Sequence, residues 1–264
     1  MTLLRRLARR CRVAVAAVAL ACSVSPAFAV DWNDLFWNPS ESGWGVNFVQ
    51  NGNFIFATFF VYGEALQPTW FSGQMTSDSN GIWSGPLFVT SGSFYGAPWN
   101  PGQRTTAQVG TVTFAPSSAT GGTLTYNVNN VNVSKQVTRQ TLTTIPLGGE
   151  YFGGIVADVY NCTNPLANQV VRLYSEITVV QTLAGQMEFQ FALGGSGSCK
   201  MVGSFAQDGQ LMRLPNAAYT CTAGLNTTVA MSEIKATNNG IEGQWIANVN
   251  GGCTEAGYFS AILF

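Results

Sequence analysis

Residues 43–62 read GWGVNFVQNGNFIFATFFVY, two strand-length segments that meet at Asn51-Gly52. Asn-Gly is the strongest short-range signal for a two-residue β-hairpin, because a type I′ turn needs positive φ at both central positions. The second segment is apolar on both faces, since Phe54 and Phe56 alternate with apolar residues such as Ile55. Such a strand suits a small closed barrel with a partner outside it, or the centre of a sandwich.

The same pattern continues along the rest of the chain. Short segments rich in Thr, Val, Asn and aromatic residues alternate with turn residues, and hairpin signals recur at Asn80-Gly81 and Asp208-Gly209. We predict seven strands between 43 and 142 and eight strands between 150 and 263, with a break near 146–149. The predicted fold class is therefore all-β, with two antiparallel meander barrels or sandwiches in tandem after a signal peptide.

Residues 1–29 predict that signal peptide. Arginines precede a short apolar run at 13–21, and small residues in an A-x-A arrangement follow at Ala27-Phe28-Ala29. The apolar run is much shorter than the roughly 20 residues that span a bilayer, so we expect no transmembrane segment. Cleavage after Ala29 predicts a periplasmic or extracellular protein. Acylation of Cys22, as in a lipoprotein, is the alternative.

The remainder of the chain divides into two predicted domains, 30–146 and 147–264. Five of the 12 basic residues lie in the leader, so this remainder carries 7 basic and 13 acidic residues and a net charge of −6. An acidic chain without a basic cluster argues against nucleic acid or an anionic membrane as a partner.

Four cysteines lie in the second predicted domain: Cys162, Cys199, Cys221 and Cys253. In an oxidising compartment their even number predicts two disulfides. Since an antiparallel meander reverses at every turn, all four are expected at strand ends on one rim. Of the three possible pairings we favour Cys162–Cys199 with Cys221–Cys253. Without histidine or a C-x-x-C pair, neither a metal site nor a cofactor is expected.

The segment 37–47, WNPSESGWGVN, resembles the opening of a β module that recurs in secreted proteobacterial proteins. Matching segments at 55–62, 68–71, 83–87 and 122–129 extend the resemblance over about 37–142. The resemblance implies an exported protein. The module has no assigned activity, so it contributes no catalytic residues.

Side chains for catalysis are scarce in this sequence. Without histidine, neither a Ser-His-Asp nor a Cys-His system can form. Glu41 and Glu64 are the carboxylates that a glycan hydrolase would need. We expect Glu41 instead to accept backbone N–H bonds in a tight turn at 40–43, and we expect no enzymatic activity.

The loop 92–106 is the best functional candidate, because long loops in compact β domains are often functional. Its aromatic residues are expected at one rim with others from the first domain, beside amide side chains that suit a sugar or small apolar ligand. The alternative is a proline-stiffened lid that closes the core. The predicted contact residues are Trp37, Glu41, Trp44, Tyr62, Tyr95 and Trp99.

These observations predict an exported, non-enzymatic binding or interaction module. Its partner would be a glycan, a small apolar ligand or a protein of the cell envelope. A structural protein of the envelope or matrix is the alternative. A carboxylate-dependent glycan hydrolase is the third hypothesis.

Overall fold

The structure is a computed structural model that describes residues 30–182 and 184–264. The predicted signal peptide and Cys22 lie outside the described residues. The fold is all-β, with two closed antiparallel barrels in tandem, as the sequence predicted. Four short 3₁₀ helices lie between strands, at Pro101–Gln103, Pro165–Ala167, Gly194–Ser196 and Asn250–Gly252.

The first barrel has eight strands, each paired with its neighbours in the sequence. They are β1 (Asp34–Trp37), β2 (Gly45–Asn51), β3 (Phe54–Tyr62), β4 (Pro68–Ser77), β5 (Trp83–Ser91), β6 (Thr105–Ser118), β7 (Gly121–Val128) and β8 (Val131–Arg139). The sequence predicted seven of them and missed β1, which is too short to show a period. This strand closes the barrel, because Phe36 pairs with Val46 of β2 and with Arg139 of β8.

The strand β3 shows why a barrel forms here. Ile55, Ala57 and Phe59 are fully buried in the interior, whereas Phe56 and Phe60 alternate with them and remain exposed on the outside. In a strand, successive side chains point to opposite faces of the sheet. The apolar pattern on both faces of β3 therefore fills the barrel on one side and leaves an apolar outer surface on the other.

The second barrel also has eight strands, with one short additional strand, β13. Its elements are β9 (Gly149–Tyr160), β10 (Gln169–Gln181), β11 (Gln186–Ala192), β12 (Ser198–Ser204), β13 (Ala206–Asp208), β14 (Leu211–Cys221), β15 (Asn226–Ala236), β16 (Gly240–Val249) and β17 (Cys253–Leu263). Pairing of β12 with β14 closes this barrel, and β9 pairs with β17. Phe189, Phe191, Trp245 and Phe259 pack against one another in its core.

The barrels meet at the end of the first barrel where β1 begins and β8 ends, which we name the lower rim. Asp34 and Arg139 form an ion pair there at 3.1 Å, with side chains only 5% and 1% exposed. The Asp34 carboxylate also accepts the backbone N–H of Gln210, from the β13–β14 hairpin of the second barrel. A Cβ on Gly209 would lie 2.1 Å from that carboxylate, and its φ is +62°. Only glycine fits this hairpin against the ion pair.

The connection 140–148 is bonded to the same hairpin. The Thr141 hydroxyl accepts the backbone N–H of Gly209, and the Gln207 side chain donates to the carbonyl oxygen of Thr143 and accepts the N–H of Ile145. The first barrel therefore presents its opposite end, the upper rim, away from the junction. The loops 38–44, 63–67 and 92–104 lie at or approach that upper rim.

The two disulfides join Cys162 to Cys253 and Cys199 to Cys221, so the pairing favoured from the sequence is wrong. Cys162 follows β9 and Cys253 begins β17, which are neighbours in the closed sheet. Cys199 and Cys221 lie directly opposite each other in β12 and β14. Cys162 and Cys199 are consecutive cysteines in the sequence, but the strands β10 and β11 lie between β9 and β12 in the sheet. All four cysteines lie on one rim of the second barrel, as expected.

Candidate functional site

The long loop between β5 and β6 is held in one conformation by its own polar groups. The Ser93 hydroxyl accepts the N–H of Asn100 at 2.8 Å, and the Asn100 side chain caps the short 3₁₀ helix by accepting the N–H of Gly102 at 3.0 Å. At the base of the loop, the hydroxyls of Ser91 and Thr105 are 2.6 Å apart. These bonds preorganise the loop and lower the entropic cost of ordering it on a ligand.

The aromatic residues of this loop do not close the core. Phe94, Tyr95 and Trp99 are 65%, 96% and 64% exposed. The rings of Phe94 and Tyr95 are 4.5 Å apart and contact each other on the surface. The alternative of a lid over the core is therefore wrong, because a lid would bury these rings.

Trp99 forms one side of an open cleft at the upper rim. Its indole ring lies against Gly92, where an added Cβ would be 3.4 Å from the ring, and Trp70 of β4 is also part of the cleft wall. The cleft has a volume of about 500 Å³. It is lined by Trp70, Thr90, Ser91, Gly92, Trp99, Arg104 and Thr106. We name this site the aromatic cleft.

A second group of predicted residues lies in the segment 38–44 and at the mouth of the barrel. Asn38 begins a turn by accepting the N–H of Ser40, and Gly43 adopts a φ of +107° that strongly favours glycine. Glu41 then accepts the indole N–H of Trp44 at 3.3 Å and the ammonium group of Lys135 at 2.5 Å. We name Glu41, Trp44 and Lys135 the mouth cluster.

The mouth cluster explains the N-P-S-E-S-G-W-G string in structural terms. The expectation that Glu41 accepts backbone N–H bonds is wrong, because its carboxylate bonds the side chains of Trp44 and Lys135. The Lys135 hydrogen bond, followed by its charge, holds the pKa of Glu41 below the usual value for glutamate. A general acid needs the opposite shift, so this geometry does not favour Glu41 as the acid of a hydrolase.

We expect Lys135→Met to raise the pKa of Glu41 towards its usual value, as measured by NMR titration of the carboxyl carbon. Because the folded-state pKa is lowered, the ion pair stabilises the fold above the usual pKa of glutamate. That contribution is lost as the pH falls through the lowered folded-state pKa. Trp44→Phe serves as the control and should shift the pKa less, since the indole contributes less than Lys135. An unchanged pKa in Lys135→Met would contradict this assignment.

The structure brings together only some of the predicted contact residues. Glu41 and Trp44 share the mouth cluster, and a Cβ on Gly43 would lie 3.6 Å from the Tyr62 hydroxyl. Trp99 lies in the aromatic cleft, and Tyr95 is on the same loop. Trp37 is the last residue of β1, pairs with Thr138 of β8 and directly precedes the segment 38–44, so its role in a contact surface stays a prediction.

Three functional candidates were missed from the sequence. Trp70 and Arg104 line the aromatic cleft, and Lys135 completes the mouth cluster. Trp70 could have been found, since it follows the 63–67 loop at the same rim and belongs to a strand with alternating exposure. Lys135 carries no local signal, because only the closed barrel brings β8 next to the segment 38–44.

Two further cavities border the second barrel near the junction, with volumes of about 310 and 740 Å³. The smaller one lies between the turn at 118–120 and the second barrel, and includes Asp208 and Arg213, which pair with each other at 2.7 Å. The larger one follows the connection between the barrels. Neither is lined by a predicted contact residue, so the aromatic cleft remains the stronger candidate site.

The chain matches no protein-family model and no curated protein. Among solved structures it is similar to a protein of unknown function from the DUF3598 family of Nostoc punctiforme, at 10% sequence identity. The alignment covers 88% of this chain and 95% of that chain, with a TM-score of 0.27. In the part of the chain that the structure describes, no helix has the length and apolar character needed to cross a membrane.

Proposed function

We propose that this protein is a non-enzymatic carbohydrate-binding module that holds a saccharide in the aromatic cleft. The observation that carries the proposal is the exposure of Trp70 and Trp99, which both line a cleft beside a preorganised loop. Large aromatic rings are costly to leave in water, and an exposed pair of them lining one cleft is typical of a binding site.

The chemistry of the cleft favours a sugar over a small apolar ligand. A sugar ring has an apolar C–H face, which stacks on an indole ring, and hydroxyl groups around its edge. The cleft offers hydroxyls from Thr90, Ser91 and Thr106 and the guanidinium donors of Arg104 for those groups. A purely apolar ligand would leave these polar groups without partners, which costs free energy.

The two disulfides fit an extracellular or periplasmic location, because disulfides persist in oxidising compartments. We propose export through a signal peptide cleaved after Ala29, with lipid attachment at Cys22 as the alternative. In that setting polysaccharides and glycans of the envelope are available ligands.

A structural role in the envelope or matrix is the second candidate function. The exposed outer face of β3, with Phe54, Phe56 and Phe60, is the observation that favours it. A surface used to assemble with other proteins would act independently of the aromatic cleft. Specific oligomers or bound envelope proteins that survive Trp99→Ala would support this function.

Replacement of Trp99 by alanine should weaken saccharide binding about two- to tenfold, since an aromatic contact contributes about 0.5–1.5 kcal/mol beyond its buried area. The measurement is a fluorescence titration with a panel of di- and trisaccharides, followed by calorimetry with the best binder. Tyr174→Ala is the matched control, because Tyr174 is an exposed aromatic residue on the second barrel. The Tyr174→Ala variant should bind saccharides with the same affinity as the unmodified protein.

Two results would contradict the proposal. One is the lack of any saturable response to the panel. The other is equal affinity of the Trp99→Ala and unmodified proteins, which would mean that sugars bind elsewhere.

A further inference from the structure

The outer surface of the first barrel differs sharply between its two sides. The four strands β2–β5 contain no Asp, Glu, Lys or Arg. On their outer face, Phe54, Phe56 and Phe60 of β3 and Trp70 of β4 are between 39% and 51% exposed. We name these four residues the aromatic wall. A cluster of exposed aromatic side chains of this kind is a candidate interaction site.

The opposite side of the same barrel has an ordinary hydrophilic surface. On β7 and β8 the outer side chains bond one another across the strands: Asn127 donates to Asn132 at 2.8 Å, and Gln136 donates to Thr123 at 2.9 Å. The aromatic wall is therefore a local feature of β3 and β4 and does not follow from the barrel as such.

The aromatic wall is continuous with the aromatic cleft. Phe60 pairs directly with Trp70 across β3 and β4, and Trp70 lines the cleft. Along β3, at about 3.4 Å per residue, Phe56 lies about 14 Å from Phe60 and Phe54 about 20 Å. The rings thus form a row that starts at the cleft and runs down the wall.

Polar but uncharged side chains separate the rings in this row. Thr58 lies between Phe56 and Phe60 on the outer face of β3, while Gln74 pairs with Phe56 and Thr76 pairs with Phe54. The surface alternates ring faces with hydroxyl and amide groups and carries no charge. It is complementary to a ligand that presents C–H faces and hydroxyls at intervals and that is itself neutral.

We propose that the ligand is a neutral polysaccharide chain, with one end of the bound segment in the aromatic cleft and the rest along Phe60, Phe56 and Phe54. This inference rests on the proposed function and names the substrate class of its site. A linear polymer fits because the row extends about 20 Å along β3 from Phe60 to Phe54. Acyl chains fit less well, since they would bury Thr58, Gln74 and Thr76 without hydrogen-bond partners.

The test compares short and long ligands on the same protein. The probes are hydroxyethylcellulose, xylan, galactomannan and dextran in native affinity gels, together with their di- and hexasaccharides in calorimetry. The variant is Phe56→Thr/Phe60→Thr, which replaces exposed rings by a residue that favours strands. Tyr174→Thr on the second barrel is the matched control, and circular dichroism verifies that both variants fold.

We expect at least one of the polymers to retard the protein and its hexasaccharide to bind more tightly than its disaccharide. The gain should be about two- to tenfold for each ring reached. Phe56→Thr/Phe60→Thr should abolish that gain and leave disaccharide affinity unchanged, while Tyr174→Thr should change neither.

The outcomes separate this inference from the proposed function. If short and long ligands bind with equal affinity and Trp99→Ala weakens both, the inference of a polymeric ligand is overturned. The proposal that the aromatic cleft binds a sugar is then still supported. If no polymer retards the protein, the inference of a polymeric ligand is likewise overturned. If retardation depends on Phe56 and Phe60 but not on Trp99, the polymer binds along the aromatic wall only. That result would overturn the aromatic cleft as the sugar-binding site.

Two other occupants of the wall would be recognised by the same variant. Without retardation by any polymer, binding to phosphatidylcholine vesicles that Phe56→Thr/Phe60→Thr abolishes would identify a lipid surface. A dimer in size-exclusion chromatography that the variant dissociates would identify a second copy of this chain. Either result would overturn the inference.

Discussion

Replacement of Asp34 by alanine should destabilise the protein by about 3–5 kcal/mol, the usual cost of removing one partner from a buried ion pair. Arg139 would lose its carboxylate partner while its charge stays buried in the junction, 5.4 Å from the ring of Trp32 and 5.3 Å from that of Phe36. The variant would also lose the acceptor for the N–H of Gln210. Urea unfolding, monitored by tryptophan fluorescence, measures the difference in unfolding free energy.

Two controls show whether burial causes this effect. Glu188→Gln disrupts the exposed ion pair with Lys200, 2.7 Å long, and should cost at most about 1 kcal/mol. The double variant Asp34→Ala/Arg139→Met should be more stable than Asp34→Ala alone, because it also removes the buried charge of Arg139. If Asp34→Ala were as stable as Glu188→Gln, the junction would not depend on the ion pair.

The two disulfides should stabilise the protein to different extents. Cys162 and Cys253 are 91 positions apart in the sequence, and Cys199 and Cys221 are 22 positions apart. Chain entropy alone assigns about 4.6 kcal/mol to the longer loop and about 3.4 kcal/mol to the shorter one. We therefore expect Cys162→Ser/Cys253→Ser to unfold at a lower urea concentration than Cys199→Ser/Cys221→Ser.

The comparison requires that each double variant keeps its remaining disulfide, which peptide mapping without reduction verifies. The same mapping of the unmodified protein tests the pairing directly, since a Cys162–Cys199 peptide would contradict the structure. The reverse order of stability would show that local packing around the cysteines outweighs loop closure.

The local patterns of the sequence were sufficient for the fold class. Alternating segments and turn pairs such as Asn51-Gly52 depend on neighbouring residues only, so the hairpins followed from local chemistry. The strand β1 did not follow, because four residues show no reliable period and its pairing partner Arg139 lies a hundred positions along the chain. The disulfide pairing failed for the same reason, since it depends on which strands become neighbours when a barrel closes.

The candidate site was predicted in part. A long loop with Tyr95 and Trp99 suggested an aromatic rim, and their exposure in the structure favours binding over core closure. Trp37 was placed at that rim because it precedes the same turn as Glu41; it ends β1 beside Thr138 and directly before that turn, so its place among the contact residues stays a prediction. Arg104 became a candidate only when the folded loop placed it in the same cleft as Trp70.

By itself, the sequence determined the all-β class, the two meanders and the presence of four cysteines able to form disulfides, since these depend on local patterns and composition. Only the tertiary structure decided how each meander closes, which cysteines pair and which aromatic rings remain exposed. The physical reason is that strand pairing joins residues far apart in sequence. A pattern that is apolar on both faces, as in β3, cannot show which face the barrel will bury.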